Sequence, residues 1–212
     1  MNPSSRRRFL SSVGALAGAA AFLPDMARAQ SAAQGPWDMS WLDRLTGEHR
    51  QVFDLSDLEI GLVVVRNWLD AFHEVYGLEH PQINAVVGIG GHAFPVNATD
   101  ELYRKFPIGR EWDLTDPATG ESALRNPFLD GGSQPPFVGA GVRPLMKRGV
   151  IFWQCNNALH GVAARLAATV KRPHDEIYGE LRGGLNAGVI LVPAHTMLIG
   201  LCQERGCSYE AL

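Results

Sequence analysis

Cys155 stands in "GVIFWQCNNALHG", Gly149 to Gly161, where a run of β-forming residues stops and a helical pattern begins. A cysteine at such a junction can do nucleophilic chemistry. The first N–H groups of a helix are unpaired and its N-terminal end is positive. A thiolate placed there is stabilised, and the thiolate is the reactive form. Asn156 and Asn157 follow, and either is a natural N-cap whose amide can also stabilise the thiolate. The same position suits a small buried apolar residue, so reactivity and packing both stand as readings of Cys155. Two further groups fall just past strand candidates. Gly90-Gly91-His92 offers a backbone that can approach a ligand closely beside an imidazole, and Pro193-Ala194-His195 offers a second imidazole. His92, Gly91 and His195 are therefore the candidate substrate-binding residues. With Cys155, the two histidines would form a Cys/His2 set of the kind zinc or copper takes. They lie on three separate loops with no short ligand motif, so neither a metal nor a cofactor is expected.

The elements that must position these groups alternate between β and α character. Strand candidates are Gln51–Leu55, Ile83–Ile89, Val150–Gln154 and Val189–Val192, with an edge strand over Ser208–Leu212. Helix candidates run from about Asp57 to Tyr76, around Ala98–Lys105, over Val142–Lys147, over Ala158–Val170 and over Thr196–Arg205. Ser56 and Glu59 read as a capping box for the first, and Gly77 as its stop. That helix carries apolar residues on two sides. One side is expected against the sheet and the other is available to a second subunit. Pro173 to Gly184 reads as a polar turn. Alternation of this kind predicts an α/β fold: a small parallel sheet of about four to five strands, helices on both faces, in flavodoxin-like layers. Ligands in such sheets sit beyond the carboxyl ends of the strands, which would gather the candidate residues on one rim.

The chain has 212 residues, 46% of them hydrophobic and 19% charged, enough for one compact domain. Three regions precede or interrupt it. Residues 1–29 combine Arg6-Arg7-Arg8, a short apolar run from Val13 to Leu23 and Ala27-Arg28-Ala29 as a small-x-small cleavage site. The apolar run is too short to span a bilayer. Ser5 to Leu10 resembles a twin-arginine export signal, which implies cleavage after Ala29 and a mature protein in the periplasm. Residues 30–49 form an N-terminal arm with Trp37 and Trp41, followed by the domain over 50–212. Residues 106–140 are a long loop insertion rich in Gly, Pro and Asp, with Trp112, Phe128 and Phe137 to dock it. Net charge is −3, but residues 1–29 hold four basic groups and one acidic, so the remainder has 15 basic against 21 acidic groups. A mildly acidic domain has no electrostatic reason to hold nucleic acid, and no segment predicts membrane insertion.

"FDLSDLEIGLVVVRNWLDAF", "VVGIGGHAFPVNATDELYRKF", "FWQCNNALHG" and "GVILVPAHTMLIGLCQERGCSYEAL" together resemble the DsrE/DsrF-like family over most of residues 50–212. The specific parts are Cys155 with Asn156-Asn157-Ala158-Leu159, and the closing G-V-x-L-V-P-A…Q-x-R-G pattern. The resemblance implies a small parallel α/β domain that assembles into trimers or hexamers. It also implies sulfur-relay function, with sulfane sulfur held as a persulfide on Cys155 and passed to a thiol or persulfide partner protein. The competing reading is a non-enzymatic oligomeric module that binds a small ligand or metal, with Cys155 buried. Cys202 and Cys207 flank the stop of the last helix at Gly206. As the C3 and C″ positions of a Schellman stop they would touch. In an oxidising compartment they would either close a disulfide or remain a reduced packing contact.

Overall fold

The computed structural model describes residues 37–212; the expected export signal over 1–29 and the first residues of the expected arm lie outside them. Five strands form one all-parallel sheet: β1 (His49–Leu55), β2 (Ile83–Ile89), β3 (Ile151–Cys155), β4 (Ile190–Val192) and β5 (Ser208–Ala211), in the order β4-β3-β2-β1-β5. The fold is the expected α/β class with helices on both faces.

Side chains alternate along each strand, so neighbours in sequence feed different cores. Phe53, Val87 and Phe152 point to one face, where α1 (Gly61–Tyr76) and α5 (Val142–Lys147) bury Leu62, Val65, Leu69, Val142 and Leu145. Val52, Val86 and Trp153 point to the other, against α8 (His195–Glu204) and the arm's 3-10 turn Ser40–Arg44. A third core joins α2 (Phe94–Asn97), α3 (Asp100–Lys105) and α4 (Ile108–Glu111) to α6 (Asn156–Val170) and α7 (His174–Gly183). The chain adds strands in one direction from β1 to β4 and then returns to place β5 beside β1. With right-handed crossovers, that reversal carries α8 to the face opposite α1.

Three local expectations are corrected. The Ser56–Glu59 capping box does not form: Ser56 Oγ donates to the Leu212 carbonyl, while Asp57 Oδ1 accepts from the N–H groups of Glu59 and Ile60. The first helix therefore starts at Gly61, four residues later than Asp57. Its stop is as expected, with Gly77 left-handed at φ 68°. Pro173 to Gly184 is not a turn. Pro173 stands at the N-cap of α7, Asp175 and Glu176 lie in its first turn, and Ile177 and Leu181 are buried one turn apart. The N-cap of α6 is neither Asn156 nor Asn157 but Cys155 itself.

The 106–140 segment is pinned. Asn126 Nδ2 donates to the carbonyls of Val96 and Ala98, and Arg125 pairs both carboxylate oxygens of Asp116 at 2.7 and 3.0 Å. Arg66 on α1 donates to the carbonyls of Pro136 and Val138.

Candidate functional site

Cys155 is the last residue of β3 and is 4% exposed. Its sulfur accepts two backbone N–H groups, from Ala158 at 3.4 Å and from His195 at 3.3 Å. Ala158 is in the first turn of α6 and His195 is the first residue of α8. Two helix N-termini thus converge on one sulfur. Each contributes a donor that its own helix leaves unpaired, together with the positive end of its dipole. Such a shell suits negative charge on sulfur better than a neutral thiol.

β3 and β4 place the two helices. Cys155 pairs in register with Val192, so the α6 and α8 starts leave adjacent parallel strands at nearly the same level. One step back, Asp54, Gly88 and Trp153 lie in one row across β1, β2 and β3. The middle position of that row must be small. A Cβ on Gly88 would lie 2.3 Å from the Trp153 ring and 3.0 Å from His195 Cε1. The indole and the imidazole occupy the space that a side chain there would need.

Across this gap runs a chain of side-chain hydrogen bonds. Trp153 Nε1 meets His195 Nδ1 at 3.1 Å, His195 Nε2 meets Asp54 Oδ1 at 2.8 Å, and Tyr209 Oη donates to Asp54 Oδ2 at 3.0 Å. Indole nitrogen only donates, so Nδ1 of His195 accepts and Nε2 carries the proton that it donates to Asp54. The hydrogen bond from Tyr209 Oη to Asp54, then burial, raises the Tyr209 phenol above its ordinary value. Both imidazole nitrogens are engaged, and neither serves Cys155 as a base. The ring instead clamps the first residue of α8, whose backbone N–H reaches the sulfur.

The other expected residues part company. Asn156 accepts from Tyr178 Oη at 2.6 Å and is tied to α7, and His160 of α6 stacks on the same Tyr178 ring at 4.0 Å. Asn157 is exposed. Neither amide is the donor that reaches the sulfur; backbone groups do that. A Cβ on Gly91 would lie 3.7 Å from the Ala158 Cβ, so Gly91 borders the start of α6. His92 is exposed, and its carbonyl accepts Trp112 Nε1 at 2.8 Å. Among the described residues, no group of three His, Cys, Asp or Glu side chains is placed to hold a metal ion. Below the cysteine, Gln154 Nε2 donates to the Gly90 carbonyl and Asn97 Nδ2 to the Trp153 carbonyl. These bonds fix the end of β3 from the side opposite α8. Gly88, Trp153 and Tyr209 are not among the residues that the sequence places on the rim, whereas Asp54, at the end of its strand candidate, is. A glycine inside the apolar run "INAVVGI" was the available signal.

Cys202 and Cys207 lie at the far end of α8. The Cys207 N–H bonds the Cys202 carbonyl at 3.0 Å and the Gly206 N–H bonds the Gln203 carbonyl at 2.8 Å, a Schellman stop. Both are free thiols. The hydrogen bond to Cys207, then burial, pushes the Cys202 thiol up.

No helix among the described residues is long and apolar enough to cross a membrane. No family model and no curated protein matches the chain. Among solved structures, one of a protein of unknown function from Methanobacterium thermoautotrophicum (MTH1491) is similar at 17% identity and a TM-score of 0.41, over 78% of this chain and 100% of that one.

Proposed function

We propose that the protein is a sulfur carrier or sulfurtransferase of the DsrE/DsrF-like kind, exported to the periplasm, that accepts sulfane sulfur on Cys155. The observation that carries this reading is the pair of helix N-termini donating to one sulfur. In the accepting step, the Cys155 thiolate attacks the outer sulfur of a donor persulfide R–S–SH. The new S–S bond forms as the old one breaks, and RS⁻ leaves. Cys155 then holds –S–SH. An acceptor thiolate attacks that outer sulfur, takes it as a persulfide, and leaves the Cys155 thiolate behind. No external oxidant is consumed. The Ala158 and His195 N–H groups stabilise the anionic sulfur before the first step and after the second. His195 is a positioning residue here, held by Trp153 and Asp54. The carrier works as a homo-oligomer, a trimer or hexamer, and hands sulfur to a partner thiol.

A second reading rests on the 4% exposure of Cys155 and its place as the N-cap of α6. In it the sulfur only closes a helix end, inside a non-enzymatic binding module. Intact mass of the mature protein after incubation with polysulfide, with and without reductant, separates the two. The carrier reading expects a reductant-labile gain of one or more sulfur atoms that disappears in Cys155→Ser. No gain in the wild type, with Cys155 protected from alkylation until unfolding, establishes the cap instead.

A further inference from the structure

A well-formed cavity lies away from the cysteine. It has a volume of about 610 Å³ and lies between the start of α1 and the 106–140 segment. Its volume is that of a site for a small organic molecule. Leu62, Val63, Val96, Phe128 and Phe137 supply apolar walls, two of them aromatic. The loop that closes one side depends on close backbone approach. Gly131 is left-handed at φ 76°, and a Cβ on Gly132 would lie 2.6 Å from the Phe137 Cβ. Arg66 holds the same loop by the carbonyls of Pro136 and Val138, so the wall that carries Phe137 is fixed to α1.

The charge of the lining has one sign. Asp57 and Glu59 border the cavity, and no lysine, arginine or histidine does. Neither carboxylate enters an ion pair among the described residues. A helix N-terminus alone would invite an anion, and Asp57 accepts the N–H groups of Glu59 and Ile60 just before α1 rather than those of its first turn. The half-charge of a helix end does not cancel two carboxylates. The walls suit an apolar body, the phenyl rings suit the face of a cation, and the carboxylates suit its charge.

We propose that this cavity binds a small organic cation, an ammonium group on an aromatic or alkyl body. The site shares no residue with the surroundings of Cys155 and stands whether or not that cysteine carries sulfur.

The test is calorimetric titration of the full chain with three probes of similar shape: 2-phenylethylammonium, neutral 2-phenylethanol and anionic 3-phenylpropanoate. The expected result is saturable 1:1 binding of the cation, roughly tenfold tighter than the alcohol, with no binding of the anion. Asp57→Asn combined with Glu59→Gln should bring the cation down to the affinity of the alcohol. Phe137→Ala should weaken both. Thr115→Trp, at an exposed lining position, should block both while thermal unfolding stays as in the wild type. Cys155→Ser should change none of these affinities. Absence of saturable binding for all three probes overturns the proposal. So does binding of the alcohol or the anion as tight as that of the cation, or a cation affinity untouched by the carboxylate substitutions.

Discussion

Helix α8 carries sulfur at both ends, and the two ends treat it oppositely. At its start, Cys155 receives a backbone N–H from His195 and another from α6. At its end, Cys202 and Cys207 sit among the last carbonyls of the helix, where the dipole is negative. Exposure does not separate them, since Cys155 is 4% and Cys207 6% exposed. Their partners do. Two backbone N–H groups point at the Cys155 sulfur, whereas Cys202 and Cys207 hydrogen-bond each other, which pushes the Cys202 thiol up and the Cys207 thiol down, so burial alone is a poor guide to which cysteine reacts.

That contrast can be broken most directly at Gly88. Gly88→Ala drives a methyl into the rigid Trp153 ring and displaces His195, so it should cost about 1–3 kcal/mol of stability and slow Cys155 alkylation. The Cys202 and Cys207 rates should not change. Denaturant midpoints and per-cysteine labelling by mass spectrometry measure both effects. Within the wild type, Cys155 should be alkylated at neutral pH roughly tenfold faster than Cys202, whose thiol is held protonated by its hydrogen bond to Cys207 and by burial. Equal rates would remove the electrostatic distinction between the two helix ends. Cys155→Ala should cost about 1 kcal/mol by leaving the Ala158 N–H without its cap, while Cys155→Ser should recover most of that.

The smallest effects are pH limbs. The Cys202 thiol is raised, so the native state keeps a proton that the unfolded chain releases above about pH 8.5. Stability from this group is complete below that pH and declines as pH rises through it. Cys202→Ala should flatten the alkaline limb of a stability profile. Away from α8, Asp116 supplies the opposite sign. Its hydrogen bonds to Arg125 hold its carboxyl down to about 2. Its contribution is present above the unfolded carboxylate value near ~3.9 and is lost as pH falls towards 2. Asp116→Asn should remove that acid limb and leave the cysteine rates alone.

The sheet was legible because strands buried on both faces read as unbroken apolar runs, and "INAVVGI" marks β2 from Ile83 to Ile89 without error. Helix ends were less so. Cysteine is not a usual cap, so the asparagines after it drew the assignment. Pro173 and the glycines around it suggested a turn, although Ile177 and Leu181 already stood one helical turn apart. The hydrogen-bonded row was hidden for a different reason. Asp54, His195 and Tyr209 are 141 and 155 residues apart along the chain at their contacts, and they meet only because β5 pairs with β1. Strand order is a property of the assembled sheet and leaves no local pattern in the sequence.

The groups that hold the Cys155 sulfur belong to the main chain. Every amino acid but proline brings the same N–H to those positions. Side-chain replacement at Ala158 can therefore vary widely while the anion hole persists, and homologous sites would retain it through extensive sequence drift. The durable part of this site is the place where two neighbouring strands stop, and its signature would be sought in backbone geometry before residue identity.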